Sequence, residues 1–87
     1  MAFIDEHCKD CLDILGEEFR EVNEWLDEFF PIMGLKHRGQ RHHKGGVEEV
    51  RLKWGDRAAQ AAEIHIKRDC YGEVPSKEQA ELWDLLT

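Results

Sequence analysis

A chain of 87 residues has room for one hydrophobic core, which argues against a two-domain enzyme and favours one helical domain spanning 1–87. With 41% hydrophobic residues, 36% charged residues and only two prolines it has the composition of a folded chain, and no apolar run nears the roughly 18 residues of a membrane span. The formal net charge of −7 repels nucleic acid at long range and disfavours general DNA binding. A core this small buries only roughly 60–65% of the surface the unfolded chain exposes, so a metal, a ligand or a partner subunit would add materially to stability. Three cysteines do not make a secreted disulfide framework, and the opening MAFIDEHCKD lacks the features of a signal peptide. A cytoplasmic, reducing location is expected.

The charge is unevenly spread. Residues 1–35 carry a balance of −8, residues 36–57 a balance of +4, and residues 58–87 a balance of −3. A concentrated basic segment inside an acidic chain can hold a small anion, or it can pair with the acidic helix of its own fold.

In chain order, Ile4, Cys8, Cys11, Leu15, Phe19, Val22, Leu26 and Phe29 follow one another by three or four residues and form one apolar stripe. The spacing predicts a long N-terminal helix over 4–30, roughly 40 Å in length, stopped at Phe30 by Pro31. A second helix is expected over 36–54, with Gly39, His43, Gly46 or Val47, Val50 and Trp54 on one line; a break at Gly45-Gly46 is the competing reading. Asp56 can cap a third helix over 57–69, in which Ala58, Ala61, Ala62, Ile64 and Ile66 are core material. Gly72 ends it, Val74-Pro75 is an extended link, and Ser76 with Gln79 forms a capping box for a last helix through Leu86. Its apolar members are Ala80, Leu82, Trp83, Leu85 and Leu86. No segment alternates as a strand does. The fold class is all-α, a small bundle of about four helices.

The unusual stretch is 35–46, in which seven residues are Lys, Arg or His and none is acidic. On a helix, Arg38, Arg41 and His42 share one side, with His43 beside them. Guanidinium forks grip phosphate oxygens in pairs and imidazoles add donors; the plainer alternative is a basic face that is solvated or paired with helix-one carboxylates. His65 and Asp69, spaced i, i+4, lie on one helical face among alanines. They fit two metal ligands, a histidine oriented by a carboxylate, or a capped core histidine. A transition metal needs three or four ligands, so His42 or His43 would have to converge on them from the second helix. Cys8-Lys9-Asp10-Cys11 has the CxxC form without the strand that precedes a redox motif, and both thiols sit on the apolar stripe, where core packing explains them. Trp25, Trp54 and Trp83 are expected in the core. There is no phosphate loop, and Ser76, the one serine, serves as a cap.

His37-Arg38, Arg41-His42-His43, Gly46, Ala62-Glu63, His65-Ile66, Asp69, Gly72 and Val74-Pro75-Ser76, taken in this order, resemble the signature of a family of short bacterial and phage proteins that is defined as a domain of unknown function. Trp25 with Asp27 and Glu28 resembles that family's Trp-x-Asp-Glu stretch, and the similarity covers about residues 25–76. The resemblance implies that the two histidine constellations belong to one site and supplies no activity. Where the family begins with several histidines, this chain has His7 with Cys8 and Cys11.

Three functions compete. The leading expectation is a binding protein for a small phosphorylated ligand of nucleotide type, with a sequestering role. Arg38, Arg41, His42, His43, His65 and Asp69 would line its pocket. The rival is a divalent-metal protein or metal-dependent phosphoesterase holding Zn, Mn or Fe through His42, His43, His65 and Asp69. The third is a helical adaptor acting through protein contacts. Binding is favoured over catalysis. Because the long first helix would outreach its neighbours by roughly 10 Å, a homo-oligomer, most simply a dimer, is expected.

Overall fold

The computed structural model describes residues 3–70 and 72–86, apart from the side chains of Leu35, Lys36, Arg38, Asp84 and Leu86. All regular structure among the described residues is helical: α1 Ile4–Leu15, α2 Arg20–Leu26, α3 Phe30–Met33, a 3-10 turn Gly34–His37, α4 Arg38–Arg41, α5 Lys44–Trp54, α6 Asp56–Asp69 and α7 Lys77–Leu86. None of these helices is long and apolar enough to cross a membrane.

The expected long first helix is broken. Gly16 takes a left-handed conformation at the end of α1, φ 83°, and its N–H bonds back to the Leu12 carbonyl. Phe19 is also left-handed at φ 49°, a strained state for a residue with a side chain. The chain then doubles back, so that Asn23 of α2 reaches Cys8 and Cys11 of α1, and Arg20 pairs with Asp5. The apolar stripe survives the break, because Cys8 and Cys11 on one helix and Val22 and Leu26 on the other all remain buried. The overhang that suggested a dimer disappears with the long helix. Pro31 does not simply end a helix; it sits in the first turn of α3.

The second expected helix also divides, though not at Gly45-Gly46. The break falls at His42-His43, and both glycines lie in the first turn of α5. The reason is a close approach. A Cβ on Gly46 would stand 1.9 Å from the Arg41 carbonyl oxygen, so only glycine lets α4 turn directly into α5. His43 then caps α5, its Nδ1 accepting from the Gly46 N–H at 3.3 Å, while the Lys44 N–H is taken by the Pro75 carbonyl at 2.8 Å.

Helix α6 is the spine of the molecule and packs on α5, α1 and α2. Its Ala58, Ala59, Ala62 and Ile66 meet Val47 and Val50 of α5 and Val22 and Leu26 of α2. The alanines have little to bury; they bring backbones close. Gly55, not Asp56, caps this helix, and Asp56 is its first residue. The start of α7 follows expectation, with Ser76 Oγ accepting from the Gln79 N–H. Its apolar face does not: Ala80 is buried and Trp83 packs on the core, but Leu82 and Leu85 are exposed, and Leu86 lies outside the described side chains. Trp54 is likewise an exposed residue, in edge contact with Trp25.

Candidate metal centre

The heart of the protein is polar. Its largest fully buried side chains include His7, His37, His42, His65 and Asn23 beside Leu26 and Ile66. Each polar group arrives from a different element: His7 from α1, Asn23 from α2, Asp27 from the end of α2, His37 from the 3-10 turn, His42 from the break before α5, and His65 with Asp69 from the last turns of α6. Asp27 is the edge of this group, its side chain 14% exposed while those of His7, His42, His65 and Asp69 are at 0%.

Asn23 sets the chemistry of His65. Its amide nitrogen donates to the Glu18 and Phe19 carbonyls at 2.9 and 3.1 Å, so its oxygen is left as an acceptor. The His65 Nδ1–H donates to that oxygen at 2.8 Å. The proton of neutral His65 therefore sits on Nδ1, and the Nε2 lone pair points inward. Burial lowers the His65 pKa to about 4, with the Asp27 contact opposing it, so the ring is neutral at pH 7.

That lone pair meets other acceptors. His65 Nε2 is 3.0 Å from Asp27 Oδ1, 3.0 Å from His42 Nε2 and 3.5 Å from Asp69 Oδ2. His42 Nε2 is in turn 3.3 Å from Asp69 Oδ2 and 3.4 Å from Asp27 Oδ1. The two rings cross at 67°, with their Nε2 atoms 3.0 Å apart. Five edges of a four-atom figure thus measure 3.0–3.5 Å. A tetrahedral ion with arms of about 2.0–2.1 Å has ligand-to-ligand edges of about 3.3–3.4 Å. Along these five edges the donors are spaced as ligands of one cation are.

Charge points the same way. Burial pushes the Asp27 carboxyl upward, but its close contacts with the His42 and His65 rings outweigh that and hold the group well below the usual carboxylate range. Burial also opposes protonation of His42, and the contacts with Asp27 and Asp69 outweigh that and raise it. Carboxylates facing imidazoles in a largely buried centre call for positive charge, supplied either by a proton on His42 or by a metal ion. A single proton can be directed at one acceptor only. A divalent ion would neutralise both carboxylates and satisfy both imidazole lone pairs at once.

Of the residues singled out from the sequence, His42, His65 and Asp69 lie within 3.5 Å of one another. His43 does not join them. Its Nε2–H donates to the Gln40 carbonyl at 3.0 Å and its Nδ1 caps α5, so both ring nitrogens are used in holding the backbone. Arg41 is engaged elsewhere too: its guanidinium lies 4.0 Å over the Trp25 ring, donates to the Trp25 carbonyl at 2.7 Å and pairs with Glu28. The side chain of Arg38 lies outside the described residues. Cys8 and Cys11 are core residues as expected; burial raises both thiols, which keeps them protonated, and Cys11 donates to the Ala61 carbonyl. His7, Asp27, His37 and Asn23 were not recognised from the sequence as site residues. The signal available was a histidine four residues before Cys11, and an Asn and an Asp beside Val22 and Leu26 on an otherwise apolar stripe. No family model, curated protein or solved structure matches the chain.

Proposed function

We propose that the protein binds a divalent transition-metal ion, Zn, Mn or Fe, at the buried centre formed by His42, His65, Asp27 and Asp69. The observation that supports this most is the convergence of four donor atoms, 3.0–3.5 Å apart along five edges, from residues up to 42 positions apart in sequence. The mixed imidazole and carboxylate set suits these metals. Asn23 has the role of an outer partner that orients a ligating histidine. A phosphorylated small ligand is the weaker reading, because Arg41 and His43 spend their donors on the protein itself.

Elemental analysis of protein purified without chelator tests the reading, followed by stripping and titration with Zn2+. Bound metal that survives gel filtration, and that is lost on His65→Ala or His42→Ala substitution in a folded variant, is the expected result. Metal at background level, with no rise in melting temperature on adding Zn2+, Mn2+ or Fe2+, overturns it.

A further inference from the structure

Four donors suffice for one ion, yet two further buried imidazoles, His7 and His37, border the same space. His7 carries the clearer geometry. Its ring is stacked on that of His65, with centroids 3.5 Å apart and planes within 11° of parallel. An imidazole binds a metal along a lone pair lying in its own ring plane. An ion shared by the two rings would stand about 1.7 Å out of each plane, half the ring spacing, on a bond of only about 2.0–2.1 Å. One ion cannot serve both. Two ions side by side can, one in each ring plane, and their separation would follow the 3.5 Å ring spacing, which falls at the lower end of the ~3.5–4 Å found in two-metal centres.

The carboxylates are disposed to bridge such a pair. Asp27 turns Oδ1 toward His65 and His42 at 3.0 and 3.4 Å, and Oδ2 toward His7 at 3.8 Å. Asp69 Oδ2 lies 3.2 Å from His7 Nε2, 3.3 Å from His42 Nε2 and 3.5 Å from His65 Nε2. The His7–Asp69 contact has the length of a hydrogen bond without its direction, and neither ring nitrogen of the fully buried His7 makes a hydrogen bond. Two ligands of a shared ion likewise stand close together without a hydrogen bond between them.

We propose that the centre is dinuclear. The first ion takes His42, His65, Asp27 Oδ1 and Asp69 Oδ2; the second takes His7 Nε2 and Asp27 Oδ2 and shares Asp69. His37, grouped with Asp27 and His42, adds a donor on the first ion's side. This inference rests on the metal-binding reading above, and the experiment separates the two.

The full-length protein is stripped with chelator and titrated with Mn2+, with bound metal counted after gel filtration and the loaded sample examined by electron paramagnetic resonance. Two ions per chain are expected, with the six-line signal of isolated Mn2+ lost at full loading through exchange coupling across the carboxylate bridges. His7→Ala, checked for folding by circular dichroism, should drop the count from two to one and restore the isolated-ion signal. One ion in the wild-type chain overturns the dinuclear centre and leaves the metal-binding reading standing, whereas no ion overturns both. Two ions retained in the folded His7→Ala variant would remove His7 from the second site. If His7→Ala does not fold, His7→Gln and the exchange signal of the wild type decide the question.

Discussion

Asn23 has one oxygen and two amide protons, and the structure uses them all: the protons hold the turn that joins α1 to α2, and the oxygen holds His65 in the tautomer that faces inward. One residue thus couples the backbone reversal to the state of the centre. Asn23→Ala should lower metal affinity by about 10–100-fold, the usual effect of losing an outer partner of a ligating histidine. It should also cost about 1–3 kcal/mol of stability, since the Glu18 and Phe19 carbonyls and His65 Nδ1 lose a buried partner. Asn23→Asp keeps the acceptor for His65 and loses the donors, so stability should suffer more than tautomer control does. Zn2+ titration and urea denaturation of the two variants separate these effects.

The elements of the fold were legible where a local rule decides them and illegible where a neighbour does. The apolar stripe from Ile4 to Phe29 correctly marks buried faces, but a 3.6-residue period continues across a turn when the two helices bury the same side, so it hides the reversal at Gly16–Phe19. Gly45 and Gly46 drew attention as helix breakers, whereas Gly46 acts by having no side chain where the Arg41 carbonyl passes. Gly46→Ala should therefore destabilise the protein by at least about 1–3 kcal/mol, as forced overpacking does, because the obstructing atom is backbone and cannot swing aside. His43→Ala tests the other half of this junction. Loss of the cap should cost about 0.5–2 kcal/mol and leave metal affinity unchanged, since both His43 ring nitrogens already serve the backbone. A large loss of affinity with little loss of stability would return His43 to the ligand set. The site itself was half legible. The i, i+4 spacing of His65 and Asp69 announces a shared face, but nothing in the spacing of His7, Asp27 and His37 reveals that α1, α2 and the 3-10 turn deliver them to the same point. The engagement of Arg41 was hidden for a related reason: its stacking on Trp25 is a tertiary contact that spacing in the basic run does not reveal.

At the scale of the whole molecule, a core built from alanines, cysteines and a handful of Leu, Val and Ile side chains surrounds histidines and carboxylates, so metal and fold should be linked. Free Zn2+ at about a hundred times its dissociation constant would add about 2.7 kcal/mol, a rise of roughly 10–20 °C in melting temperature for a domain of this size. The pH dependence follows from the two forms. Without metal, His65 is neutral in the fold down to about pH 4, while in the unfolded chain it takes a proton near 6.5, so its contribution to stability falls as pH drops through that window. His42 works in the opposite sense: its raised pKa contributes stability below about 6.5 that is lost as pH rises through its folded value, so the two partly cancel. Metal removes the cancellation, because every ligating imidazole must then be unprotonated and protons compete with the ion. The melting temperature of the metal-loaded protein should fall steeply between about pH 7 and 5, while that of the chelated protein changes much less, and the two curves should meet at the acid end. Thermal melts with and without chelator across that range measure the gap. A gap that stays constant with pH would mean that the ion is held by groups other than these histidines.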